Sequence, residues 1–268
     1  MILNKIKTIK NTFTIAFVII LVSSCGDENN FERYTIAPPT DNANVKFIHV
    51  GTALAPINWF IDGEKVTSGA KVTSGLPLGV IYGGLLNGLY RGAYPTTANY
   101  ASIKSGTKSM KIETAATTSI PASTVLNVPI TLEPRKYYTT FVTGNTPNYS
   151  VFTVNDDLSA IDPNKANIRF FNMVSNAPAT GYDFSITEIN AGANLFTSVP
   201  YLGGNASFTP IDVVADNVSA TYSFKVKLAG TNTVVASIGY ATFRRGRIHT
   251  IFIYGLATAP VIGLVTNR

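Results

Sequence analysis

From Ala43 onward, apolar and polar positions alternate in short runs rich in β-branched and aromatic residues. Val45-Lys-Phe-Ile-His-Val50 and Ile57-Asn-Trp-Phe-Ile-Asp62 have this character, and Asp62-Gly63 adds a hairpin-type turn directly after the second run. Thr107-Lys-Ser-Met-Lys-Ile-Glu113 alternates polar with apolar, the mark of a half-buried strand. Similar spacing predicts strands over 125–132, 137–143 and 149–154. Beyond the N-terminal apolar stretch, nothing sustains a helical period for three turns. Asp156-Asp-Leu-Ser-Ala-Ile-Asp-Pro-Asn-Lys165 breaks the series with acids and a proline, so 156–165 reads as a solvated linker.

After that linker the chain begins again. Ala43-Asn-Val-Lys-Phe-Ile-His matches Ala166-Asn-Ile-Arg-Phe-Phe-Asn in residue class at nearly every step. Ala55-Pro56 returns as Ala177-Pro178, and Ser109-Met-Lys-Ile returns as Ser223-Phe-Lys-Val. Lys136-Tyr-Tyr-Thr-Thr-Phe-Val-Thr-Gly144 returns as Arg247-Ile-His-Thr-Ile-Phe-Ile-Tyr-Gly255. Four matches in the same order imply a duplication, and a period near 115 residues means tandem domains rather than a solenoid. About seven short strands per copy with frequent turns predict an all-β chain of two tandem immunoglobulin-like β-sandwich domains, 43–155 and 166–268. A single large barrel is the rival architecture; duplication across a proline-containing linker favours two bodies.

The N-terminus has a different logic. Lys5, Lys7 and Lys10 precede an apolar core, Phe13–Val22, and two serines lead to Cys25. Basic, apolar, then small is the order of a secretory signal peptide. Ten apolar residues make a helix of about 15 Å, against about 30 Å of hydrocarbon, too short for a good permanent span. Val22-Ser23-Ser24-Cys25 resembles the bacterial lipobox, which implies cleavage after residue 24 and a diacylglycerol on Cys25, often with a further acyl chain such as palmitate on the freed amine. Residues 1–24 are then a lipoprotein signal peptide, and 25–42, polar and proline-rich, a flexible tether. Asp27-Glu28 looks like the acidic signal that sends some Gram-negative lipoproteins to the cell surface. The expected location is the outer membrane, facing outward, with a periplasm-facing arrangement as the alternative.

The repeated motifs carry a family resemblance. Val45 to His49, Ala55-Pro56, Trp59 to Gly63 and Tyr138 to Gly144 resemble domain of unknown function 4397, a module found in tandem in secreted and lipid-anchored bacterial proteins. In the second copy Ile168 to Asn172, Ala177-Pro178 and His249 to Gly255 match, while Asp183-Phe-Ser-Ile-Thr lacks the following Asp-Gly turn. The resemblance implies fold and location and brings no catalytic residue.

Composition narrows the chemistry. Apolar residues make up 46%, with 28 Phe and Tyr among them, and charged residues only 13%. The 21 basic residues lose three lysines with the leader while the 15 acids lose none, leaving 18 against 15 and a net charge of +3. That excess is spread out, which argues against nucleic-acid binding; the densest group, Arg244-Arg245-Gly-Arg247, reads as a solvated turn. With Cys25 acylated, no thiol remains for a disulfide, redox centre or thiolate metal site. His49 and His249 are the only histidines, and their repeat counterparts are Asn172 and Tyr138, so neither belongs to a duplicated site. No nucleophile elbow, zincin, Walker or dinucleotide motif occurs. Asp156, Asp157 and Asp162 fit no calcium-loop spacing. Asp62 and Glu64 read as turn chemistry, and Trp59 as core.

One stretch departs from its repeat. Gly79–Tyr100 holds five glycines and four tyrosines. Tyr82, Tyr90, Arg91, Tyr94 and Tyr100 could stack on sugar rings or dock on a partner, or could pack on their own sheet. The expectation is a non-enzymatic, lipid-anchored envelope protein without cofactor or metal. It would capture a glycan or surface protein; the alternative is a structural component docking a periplasmic partner.

Overall fold

The computed structural model describes residues 40–67, 79–86, 89–213 and 221–268. The first copy contains β1 (Asn42–His49), β2 (Ile57–Ile61), β3 (Glu64–Lys65), β4 (Leu85–Leu86), β5 (Leu89–Tyr90), β6 (Ala93–Tyr94), β7 (Ala101–Lys104), β8 (Gly106–Thr114), β9 (Thr124–Leu132), β10 (Tyr137–Asn145) and β11 (Asn148–Asn155). The second contains β12 (Ala166–Asn172), β13 (Tyr182–Ile186), β14 (Asn194–Val199), β15 (Thr209–Ile211), β16 (Thr221–Leu228), β17 (Val234–Thr242), β18 (Ile248–Leu256) and β19 (Ala259–Thr266). Among the described residues there is no α-helix.

Each copy folds as two facing sheets. In the first, β11-β10-β1, with β6 and β7 both on the free side of β1, faces β3-β2-β8-β9. In the second, β15-β12-β18-β19 faces β14-β13-β16-β17. Asp62 and Gly63 have φ of 50° and 86°, and Phe60 pairs Lys65, so the predicted tight hairpin turn forms there. Pairing between the named strands is antiparallel except at one equivalent place in each copy. There β1 runs parallel to β10, with Lys46 opposite Thr139, and β12 runs parallel to β18, with Arg169 opposite Thr250.

Apolar faces of the paired sheets enclose two cores. One holds Phe47, Trp59, Met110 and Ile112, with the Phe47 and Trp59 rings 5.4 Å apart. The other stacks Phe170 on Phe184 at 4.9 Å. Strands β10 and β18 are buried along both faces, because their outer sides build a third cluster from Ile48, Phe141, Phe171, Phe252 and Tyr254. This seam joins the two sandwiches into one compact unit, Pro39–Arg268.

The seam also fixes direction. Along β10, Thr139 contacts Arg169, Phe141 contacts Phe171 and Phe252, and Thr143 donates to the Met173 carbonyl at 3.0 Å. The strand therefore runs the same way as β12 and β18. The turns before β10 and β18 share one end with the start of β1, since Arg135 N–H donates to Asn42 O at 2.7 Å. We call this the proximal end. Loops following β1, β8, β10, β12, β14, β16 and β18 lie at the opposite, distal end, as does the segment leading into β6, where Gly92 O accepts from the His49 N–H at 2.7 Å.

Candidate functional site

A duplicated polar cluster lies within the apolar seam. Lys46 and Arg169 occupy the same repeat position, each opposite its threonine, Thr139 or Thr250. The residues just past β11 and β19, Asp156 and Asn267, complete the two sets. Arg169 donates from Nε to Thr250 at 2.9 Å, and from Nη2 to Thr139 at 3.0 Å and to Asp156. Its guanidinium also lies over Phe208 at 4.4 Å. Asp156 accepts from Thr139 at 2.7 Å, Tyr100 at 2.6 Å and Asn267 at 3.0 Å. The expected solvated linker thus begins with a fully buried carboxylate, because Arg169, its neighbour in the seam, needs a counter-charge. Asp157 instead accepts from Ser159, and Asp162 from Asn164, so the three acids do not converge.

The Lys46 ammonium takes a different solution. The segment between β6 and β7 leaves β1 and wraps it, so that Nζ donates to the carbonyls of Pro95 (3.3 Å), Thr97 (2.8 Å) and Asn99 (2.8 Å). Burial lowers its pKa to about 8, with the Asp156 charge pulling the other way. All three ammonium protons are engaged, so the amine is a structural tie rather than a nucleophile.

His49 is buried, and its role recurs in the second copy. Its Nδ1 accepts from the Gly51 N–H at 3.3 Å and its Nε2 lies 3.2 Å from the Ala55 carbonyl. At the equivalent place Asn172 accepts from the Val174 N–H at 2.9 Å and donates to the Val199 carbonyl at 3.1 Å. The residue types differ, yet each holds the backbone two residues on, so His49 does belong to a duplicated device. Burial holds its pKa down to about 4. His249, packed 4.9 Å from the Phe243 ring, has Thr266 as its one side-chain hydrogen-bond partner among the described residues; burial, then the charge of Arg247, holds it down to about 3.

The Gly79–Tyr100 segment is largely a clasp on the seam. Tyr90 is buried, donates to the His49 carbonyl, accepts from the Gly83 N–H at 2.9 Å and meets Phe252 edge-on at 5.2 Å. Tyr100 is committed to Asp156 and Asn267. Tyr82 packs between His49 and Tyr254, and Tyr94 against the first core. Of the five residues expected to contact a ligand, only Arg91 is exposed. The tyrosines follow the alternative reading, packing on their own protein, because the seam offers more apolar surface than water does. Trp59, expected in the core, is fully buried there.

Two surface features remain. Edge strands β9 and β11 leave a groove of about 600 Å³, floored by Met110 and Tyr138 and walled by Val128, Pro129 and Val151, without a charged lining residue. In the second sandwich the equivalent strands β17 and β19 approach more closely. The second feature is a separation of charge between the ends. Loops 50–56, 115–123, 146–147, 173–181, 200–203, 229–233 and 257–258 carry no Asp, Glu, Lys, Arg or His, which leaves Arg91 as the only charge in the described distal loops. Asp183, at the distal start of β13, is buried and accepts from Ser198 N–H at 2.7 Å and Gly230 N–H at 3.1 Å.

Sequence reasoning missed the Asp156 cluster. The available signal was a cation, Lys46 or Arg169, at the same place within an apolar run of both copies.

The family model for a domain of unknown function (DUF4397) matches residues 43–180, just over half of the chain. The chain belongs to this family. The match covers the first sandwich and continues through β12 to the Ala177-Pro178 turn. No curated protein matches the chain. Among solved structures, the chain is similar to a Bacteroides fragilis protein titled "putative cell adhesion protein", at 12% identity and a TM-score of 0.19, covering 85% of this chain and 98% of that one.

Proposed function

We propose that this is a lipid-anchored protein of the bacterial cell envelope that binds rather than catalyses, with its distal loops, which carry a single charge among the described residues, as the contact face. The observation that carries this reading is the charge separation between the ends. The chain enters β1 at the proximal end, and the lipobox-like cysteine lies 15 residues upstream of Thr40. The distal loops lie at the end opposite that chain entry. A surface with one cation and many Thr, Ser, Asn and Ala side chains is complementary to a neutral partner, a glycan in the first instance, and offers little to a charged one. The side chains best suited to chemistry, Lys46, His49 and Asp156, are all spent on holding the seam and its corners.

The anchor is tested by fractionating a Cys25→Ala variant. The expected result is loss from the membrane fraction with altered electrophoretic mobility; unchanged behaviour in both overturns it. Protease shaving of intact cells then reports the side of the membrane: digestion supports outward capture, and protection until the outer membrane is broken favours a periplasmic partner. The contact face is tested on a neutral glycan panel with Ile120→Glu, which puts a charge at a distal residue 64% exposed. Binding should fall while the fold survives. Deleting the Gly79–Tyr100 segment would not be a clean test, because Tyr90 and Tyr100 belong to the seam.

A further inference from the structure

The proximal end carries an unassigned cationic surface built from two equivalent turns. The turn before β18 holds Arg244, Arg245 and Arg247, all exposed and in no ion pair among the described residues. Gly246 at φ 71° closes this turn, and its N–H donates to the Lys165 carbonyl at 2.9 Å. The turn before β10 holds Arg135 and Lys136, also exposed. Because β10 and β18 run in the same direction, both turns project from one end. Acids are present too: Glu133 on the first turn, and Asp157 and Asp162 on the crossing segment. Asp157 faces Lys136 and accepts from Ser159, while Lys165 pairs with Asp212 at 3.2 Å. Asp41, exposed at the chain entry, is a further acid at this end, so the excess lies in the second turn, whose three arginines have no acid within ion-pair distance among the described residues.

We infer that these turns rest on an anionic lipid surface, with the three arginines of the β17–β18 turn as the main contacts. This rests on the proposed lipid anchor. The chain enters beside the first turn, where Arg135 N–H meets Asn42 O. A 15-residue stretch from Cys25 to Thr40 spans about 50 Å at most. An anchor at Cys25 would therefore keep these turns within reach of headgroups. Charge decides between the ends: the described distal loops offer anionic headgroups one cation, Arg91, whereas the proximal turns offer five, and each Arg or Lys near such a surface is attracted to it. Three arginines should shift the docked-to-free ratio roughly a hundredfold at low salt, with the effect lost at high salt. Docking would stand the molecule upright and hold the distal loops about 30 Å farther out, the rise of a nine-residue strand.

The test uses the full lipidated protein carrying Ser119→Cys, a distal position, labelled with a donor dye. The protein is reconstituted in phosphatidylcholine vesicles, with or without 30% phosphatidylglycerol, that contain an acceptor lipid. Energy transfer should be lower with phosphatidylglycerol. It should return to the phosphatidylcholine level in 0.5 M NaCl and in the R244Q/R245Q/R247Q variant. Equal transfer in both membranes, or lipid-charge dependence surviving in the triple variant, overturns the inference. Failure of the anchor reads differently: the protein would not associate with phosphatidylcholine vesicles, and Cys25 would take a second dye.

Discussion

His49 offers a direct test of the view that the histidines are structural. Its ring is buried, so the folded protein binds a proton there only below about pH 4, while the unfolded chain does so below 6.5. Between those values the unfolded state holds more protons, so stability must rise with pH and fall as the solution is acidified from 6.5 towards 4. The gap is worth on the order of 3 kcal/mol. The second copy shows which replacement preserves the contacts, because Asn172 does the same work without titrating. His49→Asn keeps an acceptor for the Gly51 N–H and risks only the donation to Ala55, a loss of about 1–2 kcal/mol at pH 7. His49→Leu leaves both backbone groups unpaired and should cost about 2–5 kcal/mol. Urea unfolding followed through Trp59, the sole tryptophan and fully buried in the first core, measures both. From pH 6.5 to 4.5 wild type should lose stability faster than His49→Asn, until the two curves meet or cross. Parallel curves would refute the argument, as would an Asn variant no better than Leu.

Other expectations use the same measurement. Asp156→Leu alone should cost about 3–5 kcal/mol by stranding the Arg169 guanidinium, whereas Asp156→Leu with Arg169→Met should cost clearly less; simple additivity would show that the two charges are not coupled. Lys46 has a lowered pKa, so wild type should gain stability between pH 8 and 9.5 as the unfolded amine stays protonated, and Lys46→Met should abolish that gain. Gly204→Ala should cost at least about 2 kcal/mol, because φ is 152° and a Cβ would sit 2.3 Å from the Phe170 carbonyl. Gly239→Ala, with nothing within 4 Å of its Cβ, should stay within about 0.5 kcal/mol, and a large loss there would contradict the packing.

Strands were legible wherever one face met a core. The alternation in Thr107–Glu113 and the aromatic run at Ile57–Asp62 lie within β8 and β2 almost residue for residue. The duplication was legible because it repeats residue classes in order. The parallel pairing of β1 with β10 was not, since periodicity reports which face a residue takes and not which strand lies beside it. Nor was the seam. Burial of both faces makes β10 continuously apolar or Thr-rich, and Thr139, Thr140 and Thr143 look like surface residues until a second sheet covers them. Asp156 was misread for a related reason: an acid among turn formers suggests solvent, and only the Arg169 side chain, 13 residues on, explains its burial.

Edge chemistry bears on which docking mode the fold permits. An unpaired sheet edge is a template for another strand unless something interrupts it. Strand β9, the free edge of its sheet, carries Pro129 opposite Ser109, whose own N–H turns to Asp62, so the proline's missing donor falls on the outer side. Strand β17 occupies the same place in the second copy and has no proline. There Tyr222 pairs Ala241 and Phe224 pairs Ile238, so Gly239 and Tyr240 both oppose Ser223, a bulge at the position that Pro129 holds in the first copy. Two unrelated devices thus interrupt equivalent edges near their middles, as expected if strand addition there is disadvantageous. Docking through these edges loses ground, and a partner is left with loops or with the uncharged groove beside β11. Of these, only the distal loops would stand away from a membrane on which the proximal turns rest, as proposed above, which is why the distal end is the contact face we favour.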